Sequence, residues 1–326
     1  MFLHRTMLGF ALLVASAPVF AAAQQAVERD YPSKPIRVVV PYAPGGPMDY
    51  TARMLGRKMQ NLMTLVIDNR PGAGGALGAD LVAKSAPDGY TMLHTSSSHA
   101  SLPVITKSLP YDSIKDFAPI TLALKSVGFL LVAHPGVPAR TVREFVAGAK
   151  AQPGKFTYGS GGVGNVMHFA AEIFNDMAGT QTTHIPYKGV GQAITDLLAG
   201  RIDTSFGPPT VLLPHVKAGK LRALGITASS RWNDLPEVPT IDEAGVKGYL
   251  FVPWYAFWFP AGTPRETVNR MRNEIAKALE DPEIRRAFAE QGFVSVGSAP
   301  ADFAKTIVDE IEANRRLAAK IGLTPE

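Results

Sequence analysis

The chain has 326 residues and a formal charge of +5, long enough for about two domains or one large one. Hydrophobic residues make up 46% and charged residues 19%, a balance that excludes a disordered, collagen-like or coiled-coil chain. There is no cysteine, so disulfides, thiolate metal sites, iron–sulfur clusters and cysteine nucleophiles are excluded. Lys and Arg are interspersed with acids and form no run of five, which reads as a solvated surface rather than a nucleic-acid face.

Residues 1–23 read as a secretory signal. His4 and Arg5 give a basic start, an apolar run follows, and Ala21, Ala22 and Ala23 fit a small-residue cleavage site. The run is too short for a spanning helix, and its removal with Arg5 leaves a charge of +4. The expectation is an exported, periplasmic, soluble chain.

Strand-like runs then alternate with helical patterns, the signature of α/β units. Residues 36–40 form an apolar strand and 41–47 a Gly/Pro loop. Residues 49–63 show helical spacing through Ala52, Leu55 and Met59. Strand 65–67 and helix 76–85 follow, joined by a tight turn at 70–75. Strand 90–94 ends in the polar loop 95–99. Strand 128–133 leads to helix 141–150, where Thr141 and Glu144 sit at capping-box spacing.

The plan repeats in the middle: strand 156–158, glycine loop 159–164 and helix 165–177. Strands 183–186 and 204–206 flank helix 191–199. Strand 221–227, a Pro-rich connector at 230–248 and strand 255–259 follow. The tail is helical, with Thr263, Pro264 and Glu266 marking one helix start and 301–321 forming the last helix. Lobe one is read as 24–126 plus 250–326 and lobe two as 127–249, with two chain crossings between them. Each strand–glycine loop–helix unit aims backbone N–H groups and a helix N-terminus at the carboxyl edge of a parallel sheet, where open α/β sheets bind ligands and anions.

Several candidate residues follow. Gly159, Gly161 and Gly164 match the dinucleotide spacing, but the ribose-binding acid about 20 residues on is missing. The surviving reading is a nest of N–H groups for a small anion, with no cofactor. Ser160, Asn165 and His168 cluster at this loop, either as hydrogen-bonding partners of ligand oxygens or as loop braces and caps. A Ser160 nucleophile lacks the G-x-S-x-G elbow, since Tyr158 holds the first position. No zinc motif appears, and His94 and His99 are a poor zinc pair, so no metal is expected. Gly45 and Gly46 permit close backbone approach. Asp49 reads first as the N-cap of its helix and second as a ligand contact. Ser96, Ser97, Ser98 and His99 offer hydroxyls and an imidazole at a strand end. Lys188 reads as a solvated charge. One of Trp254, Tyr255 and Trp258 is expected to wall the cleft, with Trp258 assigned to the core.

The segments YPSKPIRVVVPYAPGGPMDYTAR, VIDNRPGAGGALGADLVAKSAPDGYT, LPYDSIKDFAPI, YGSGGVGNVMHFAAEIF, HIPYKGVGQAITDLLAGRID and FPAGTP resemble the Bug (Bordetella uptake gene) receptors. These are the solute-binding proteins of tripartite tricarboxylate transporters. The resemblance covers nearly the whole chain after residue 23. It implies a type II periplasmic-binding-protein fold, a non-enzymatic role and a small carboxylate held by loop N–H groups, hydroxyls and waters. It also implies large and small membrane subunits as partners, and a monomer is expected. The contacting residues carried over are Tyr42, Ala43, Gly45, Gly46, Met48, Asp49, Ser96–His99 in full, Ser160, Gly161, Gly162, Asn165, His168, Tyr187, Lys188 and Gly207. Family members often carry Asp where this chain has Gly207, so an amino-acid ligand is disfavoured. The polar loop 95–99 is followed by Ser101, Leu102 and Pro103, where an Asn before the Pro is expected. Dicarboxylates and aromatic carboxylates are the favoured ligands. The rivals are a sensory partner of a membrane protein and an exported hydrolase.

Overall fold

The computed structural model describes residues 31–320; the signal-peptide reading of 1–23 lies outside them. The elements in chain order are β1 (Ile36–Val40), α1 (Pro47–Met59), β2 (Leu65–Asn69), α2 (Ala76–Ala83), β3 (Thr91–Ser96), α3 (Ser98–Ile105), β4 (Phe117–Ser126) and β5 (Leu130–Ala133). Then come α4 (Val142–Ala151), β6 (Thr157–Ser160), α5 (Val166–Ala178), β7 (Thr183–Pro186), α6 (Val190–Leu198), β8 (Thr204–Gly207), α7 (Pro209–Lys217) and β9 (Arg222–Ile226). The chain ends with β10 (Trp254–Pro260), α8 (Arg265–Glu280), α9 (Pro282–Ala289), β11 (Phe293–Ser295) and α10 (Pro300–Lys320).

The strands form two sheets, one ordered β11-β4-β10-β3-β1-β2 and the other β7-β6-β8-β5-β9. Both are mixed rather than purely parallel. β1 pairs in parallel with β2 and β3, and β6 with β7 and β8. β10 runs antiparallel to β3 and β4, and β5 antiparallel to β8 and β9. β5 is the first strand after the chain crosses into the second sheet, and β10 the first after it crosses back.

Each sheet is covered on both faces, which is why its central strands read as continuous apolar runs. In β10 all seven residues are buried. Tyr255, Phe257 and Phe259 pack in the cluster under α1, α8 and α9, while Trp254, Ala256 and Trp258 pack in the cluster under α2 and α10. That division follows the two-residue period of a strand. The second sheet has its own pair of clusters.

The segments crossing between the sheets, 127–129 and 227–253, run side by side. Phe129 N–H donates to Thr227 Oγ1 at 2.7 Å, Phe251 N–H to Thr227 O at 2.8 Å and Ser126 N–H to Pro253 O at 2.8 Å. At the end of α10, Leu317 and Ala318 reach the cluster of the second sheet that also takes in Val104 and Ile105.

Several elements were hidden from sequence by proline. α3 carries Pro103 and α7 carries Pro214, residues that ordinarily end a helix. The polar loop expected at 95–99 is instead the end of β3 and the first turn of α3. The helix expected from Asp49 starts at Pro47. Pro264 is the N-cap of α8, and Thr263 Oγ1 turns back to Pro260 O at 2.8 Å. The capping residue of α4 is Thr141, which accepts the Glu144 N–H at 3.1 Å.

Candidate functional site

A cleft between the two sheets is lined by Tyr42, Ala43, Pro44, Gly46, Pro47, Met48, Ser96 and Tyr255 on one side. Phe129, Gly161, Asn165, Val166, Met167, Val190, Gly191 and Pro208 line the other. The empty space it encloses, open solvent at its mouth included, is about 490 Å³. A wider groove continues past Tyr42 and Gly161, lined by Gly72, Gly74, Gly162, Tyr187 and Lys188 among others.

The backbone that lines the cleft has one recurring character: helix beginnings. Gly46, Pro47 and Met48 start α1, and Asn165, Val166 and Met167 start α5. Val190 and Gly191 start α6, and Pro208 caps α7. Helix N-termini carry unsatisfied N–H groups and a partial positive charge. α1 and α6 have no side-chain cap, which leaves first-turn N–H groups such as those of Met48 and Gly191 for water or a ligand. α5 differs. Its Val166 N–H donates to Ser98 Oγ at 2.9 Å, and its Met167 N–H to Asn165 Oδ1 at 2.9 Å. No Lys or Arg lines this first cleft. The positive end of the site is therefore built from backbone.

Asp49 is not the N-cap; Gly46 occupies that position. Asp49 lies in the first turn, where Oδ2 accepts the Gly45 N–H at 3.0 Å and Oδ1 accepts Arg53 Nε at 2.9 Å. Burial pushes its carboxyl up, but the hydrogen bonds from Arg53 and Gly45 outweigh that and hold it below the usual range. Neither Asp49 nor Gly45 lines the cleft: the carboxylate braces the loop and occupies the Gly45 N–H.

The serine run divides by the start of α3. Ser96 lines the cleft, with its Oγ donating to Ser98 Oγ at 3.0 Å. Ser98 bridges to α5 through Val166. Ser97 is buried away from the cleft lining. His99 is 1% exposed and faces the core, its ring 4.7 Å from that of Trp258 and its Nε2 2.8 Å from Ser113 O. The helix turns this side chain away from the strand end, so His99 is corrected from a cleft residue to a core one. Burial lowers its pKa to about 4, and a neutral ring suits that surrounding.

Ser160 and His168 lie behind the glycine loop rather than in the cleft lining. Ser160 Oγ accepts the Gly162 N–H at 3.1 Å and pairs with His184 Nε2 at 2.6 Å. The rings of His168 and His184 stack 4.1 Å apart, and His168 Nδ1 accepts the Gly164 N–H at 3.3 Å. Burial pushes His168 down to about 4. For His184, burial and the neighbouring His168 push it to about 3. An imidazole held that low is a poor base at neutral pH, and Ser160 is 0% exposed. The Ser–His pair is a brace, not a nucleophile and its activator. Sequence reasoning missed His184.

Tyr187 and Lys188 lie in the wider groove. Tyr187 donates to Asp196 Oδ2 at 2.8 Å, and Lys188 is exposed. Gly207 ends β8 with its neighbour Pro208 in the cleft; a Cβ there would sit 2.9 Å from Leu212. Tyr255 is the aromatic that walls the cleft, and Trp258 is core. The turn at 72–75, expected only to lead into a helix, also lines the groove. The cleft roles of Phe129, Val190, Gly191 and Pro208 were missed. Residues 183–198 repeat the strand–loop–helix plan a third time, a signal that could have exposed Val190 and Gly191.

The sequence profile described as "Tripartite tricarboxylate transporter family receptor" matches residues 51–323. Protein BugT of Bordetella pertussis is 37% identical over 287 residues, covering 86% of this chain and 87% of BugT. The structure of periplasmic binding protein BugD superposes with a TM-score of 0.87 at 29% identity, covering 91% of this chain and 100% of BugD. That of R. palustris Rpa4515 with adipate superposes with a TM-score of 0.88 at 31% identity, covering 91% of this chain and 100% of that one.

Proposed function

The chain belongs to the tripartite tricarboxylate transporter receptor family, and from that membership we propose that its cleft binds a small organic carboxylate for uptake through the membrane subunits of such a transporter. The fold is the type II periplasmic-binding-protein fold, and the family's role is that of a solute-binding receptor rather than an enzyme.

The observation that carries the ligand class is the cleft lining. Beginnings of α1, α5, α6 and α7 meet there with no Lys or Arg among them. Such a surface favours an anion held by N–H groups. Its remaining walls, including Met48, Phe129, Met167 and Val190, favour an apolar body. Rpa4515 is described with adipate, a dicarboxylate. Dicarboxylates and aromatic carboxylates are therefore the favoured cargo. The ligand is captured in the periplasm after export by a cleavable signal, and the protein works as a monomer. The paired crossings at 127–129 and 227–253 serve as the hinge, and closure around the ligand creates the face that docks on the membrane subunits.

The test is thermal unfolding of the purified protein against a carboxylate panel. A ligand at 100 times its dissociation constant stabilises the fold by about 2.7 kcal/mol, which raises the midpoint by several degrees. A panel of dicarboxylates, hydroxy acids and aromatic acids that leaves the midpoint unmoved overturns the reading.

A further inference from the structure

Tyr255 is the second residue of β10, paired with Ser96 of β3 and Leu124 of β4. It is 2% exposed and lines the cleft. Its hydroxyl has no hydrogen-bond partner among the described residues. Burial raises its pKa, so the phenol is a neutral donor at any physiological pH. The ring is fixed edge-on against Phe293 at 5.2 Å. The nearby hydroxyl of Ser126 is outside hydrogen-bond geometry to it and is engaged in its own turn, donating to Gly128 O at 2.8 Å and accepting the Gly128 N–H at 3.2 Å.

A buried donor with nothing to bind is costly, and natural structures rarely keep one without a use. The other hydroxyls on this wall are already engaged. Tyr42 OH donates to Gly74 O at 3.3 Å, and Ser96 Oγ to Ser98 Oγ at 3.0 Å. The carboxylate of the ligand has its donors at the beginnings of α1 and α6. Tyr255 comes from a different element, β10, an interior strand of the first sheet that runs antiparallel to both of its neighbours.

We propose that Tyr255 is a specificity residue that donates a hydrogen bond to a second oxygen of the ligand, so that the cleft selects carboxylates carrying another acceptor over plain monocarboxylates. The accepted class is dicarboxylates and hydroxy or keto acids. This rests on the carboxylate-binding reading of the cleft.

The test compares matched pairs by calorimetric titration: succinate with butyrate, adipate with hexanoate and terephthalate with benzoate. Wild type should bind the first of a pair more tightly. Tyr255→Phe should weaken that tighter binding by about tenfold, the scale of one lost hydrogen bond, and change the monocarboxylate by less than about twofold. The ligand-free melting midpoint of Tyr255→Phe should match or exceed wild type, because an orphaned hydroxyl has been removed. Equal weakening within each pair, no weakening, or a lower ligand-free midpoint overturns the proposal. Wild-type binding with an unaltered Tyr255→Phe overturns it alone. Wild type that binds none of the six acids overturns both it and the carboxylate reading.

Discussion

Asn165 shows how one side chain serves both a helix and a cleft. Its Oδ1 caps α5 through the Met167 N–H, while the residue also lines the cleft. Asn165→Ala should therefore cost about 1 kcal/mol of stability, lowering the melting midpoint by roughly 1–2 °C for a chain of this length. If the side chain also meets ligand, calorimetry on the folded protein should show about tenfold weaker binding; unchanged affinity would leave it a cap alone. Lys188 gives the opposite expectation. It is exposed and outside the first cleft, so Lys188→Ala should change affinity by no more than about twofold, as solvated charges contribute little. A tenfold loss would replace the backbone-held anion with a salt bridge.

At the scale of elements, the glycine loop of the second sheet rests on two imidazoles, His168 buried and His184 partly buried. His168 and His184 stack beneath it, and His94 and His99 are buried in the first half of the molecule. Their folded pKa values, about 4 for three of them and about 3 for His184, lie below the ordinary 6.5. Burial disfavours the charged ring, so the unfolded chain takes up protons first as pH falls. The stability this confers is complete above about pH 6.5 and is lost as pH falls from there toward 4 and below. The urea midpoint should thus drop between pH 7 and pH 5, before carboxylate protonation dominates. A midpoint constant over that range would contradict the neutral buried rings.

At the scale of the whole molecule, the two halves approach closely at two glycines. A Cβ on Gly74 would sit 2.4 Å from Val163 O across the groove, and Gly74 holds φ +63°. Gly162 lies close by, its own Cβ position 3.6 Å from Gly74 N. Gly74→Ala should therefore strain the turn and hold the halves apart. The expected result is weaker ligand binding and, by small-angle scattering, a ligand-bound radius of gyration larger than wild type. A variant that closes and binds like wild type would show that the contact is not part of closure.

Much of this protein was determined by local chemistry. The apolar run of β1, the Ala52–Leu55–Met59 face of α1, the glycine loop before α5 and the Thr141 cap of α4 are short-range patterns, and each took its expected form. The pairing of loops into a cleft was legible for the same reason, since a strand followed by glycines and a helix aims N–H groups one way wherever it occurs. What the tertiary structure alone decided is which side chains reach the cleft. His99 follows Ser98 by one residue, yet one bridges to Val166 and the other packs against Trp258. That outcome depends on α3, a helix its own Pro103 concealed. Tyr255 and Trp258 sit three apart on a strand whose every residue is buried. Only the packing of α1, α8 and α9 on one face and α2 and α10 on the other put Tyr255 on the cleft side. Side-chain direction here is set by contacts between segments more than a hundred residues apart, which no local pattern encodes.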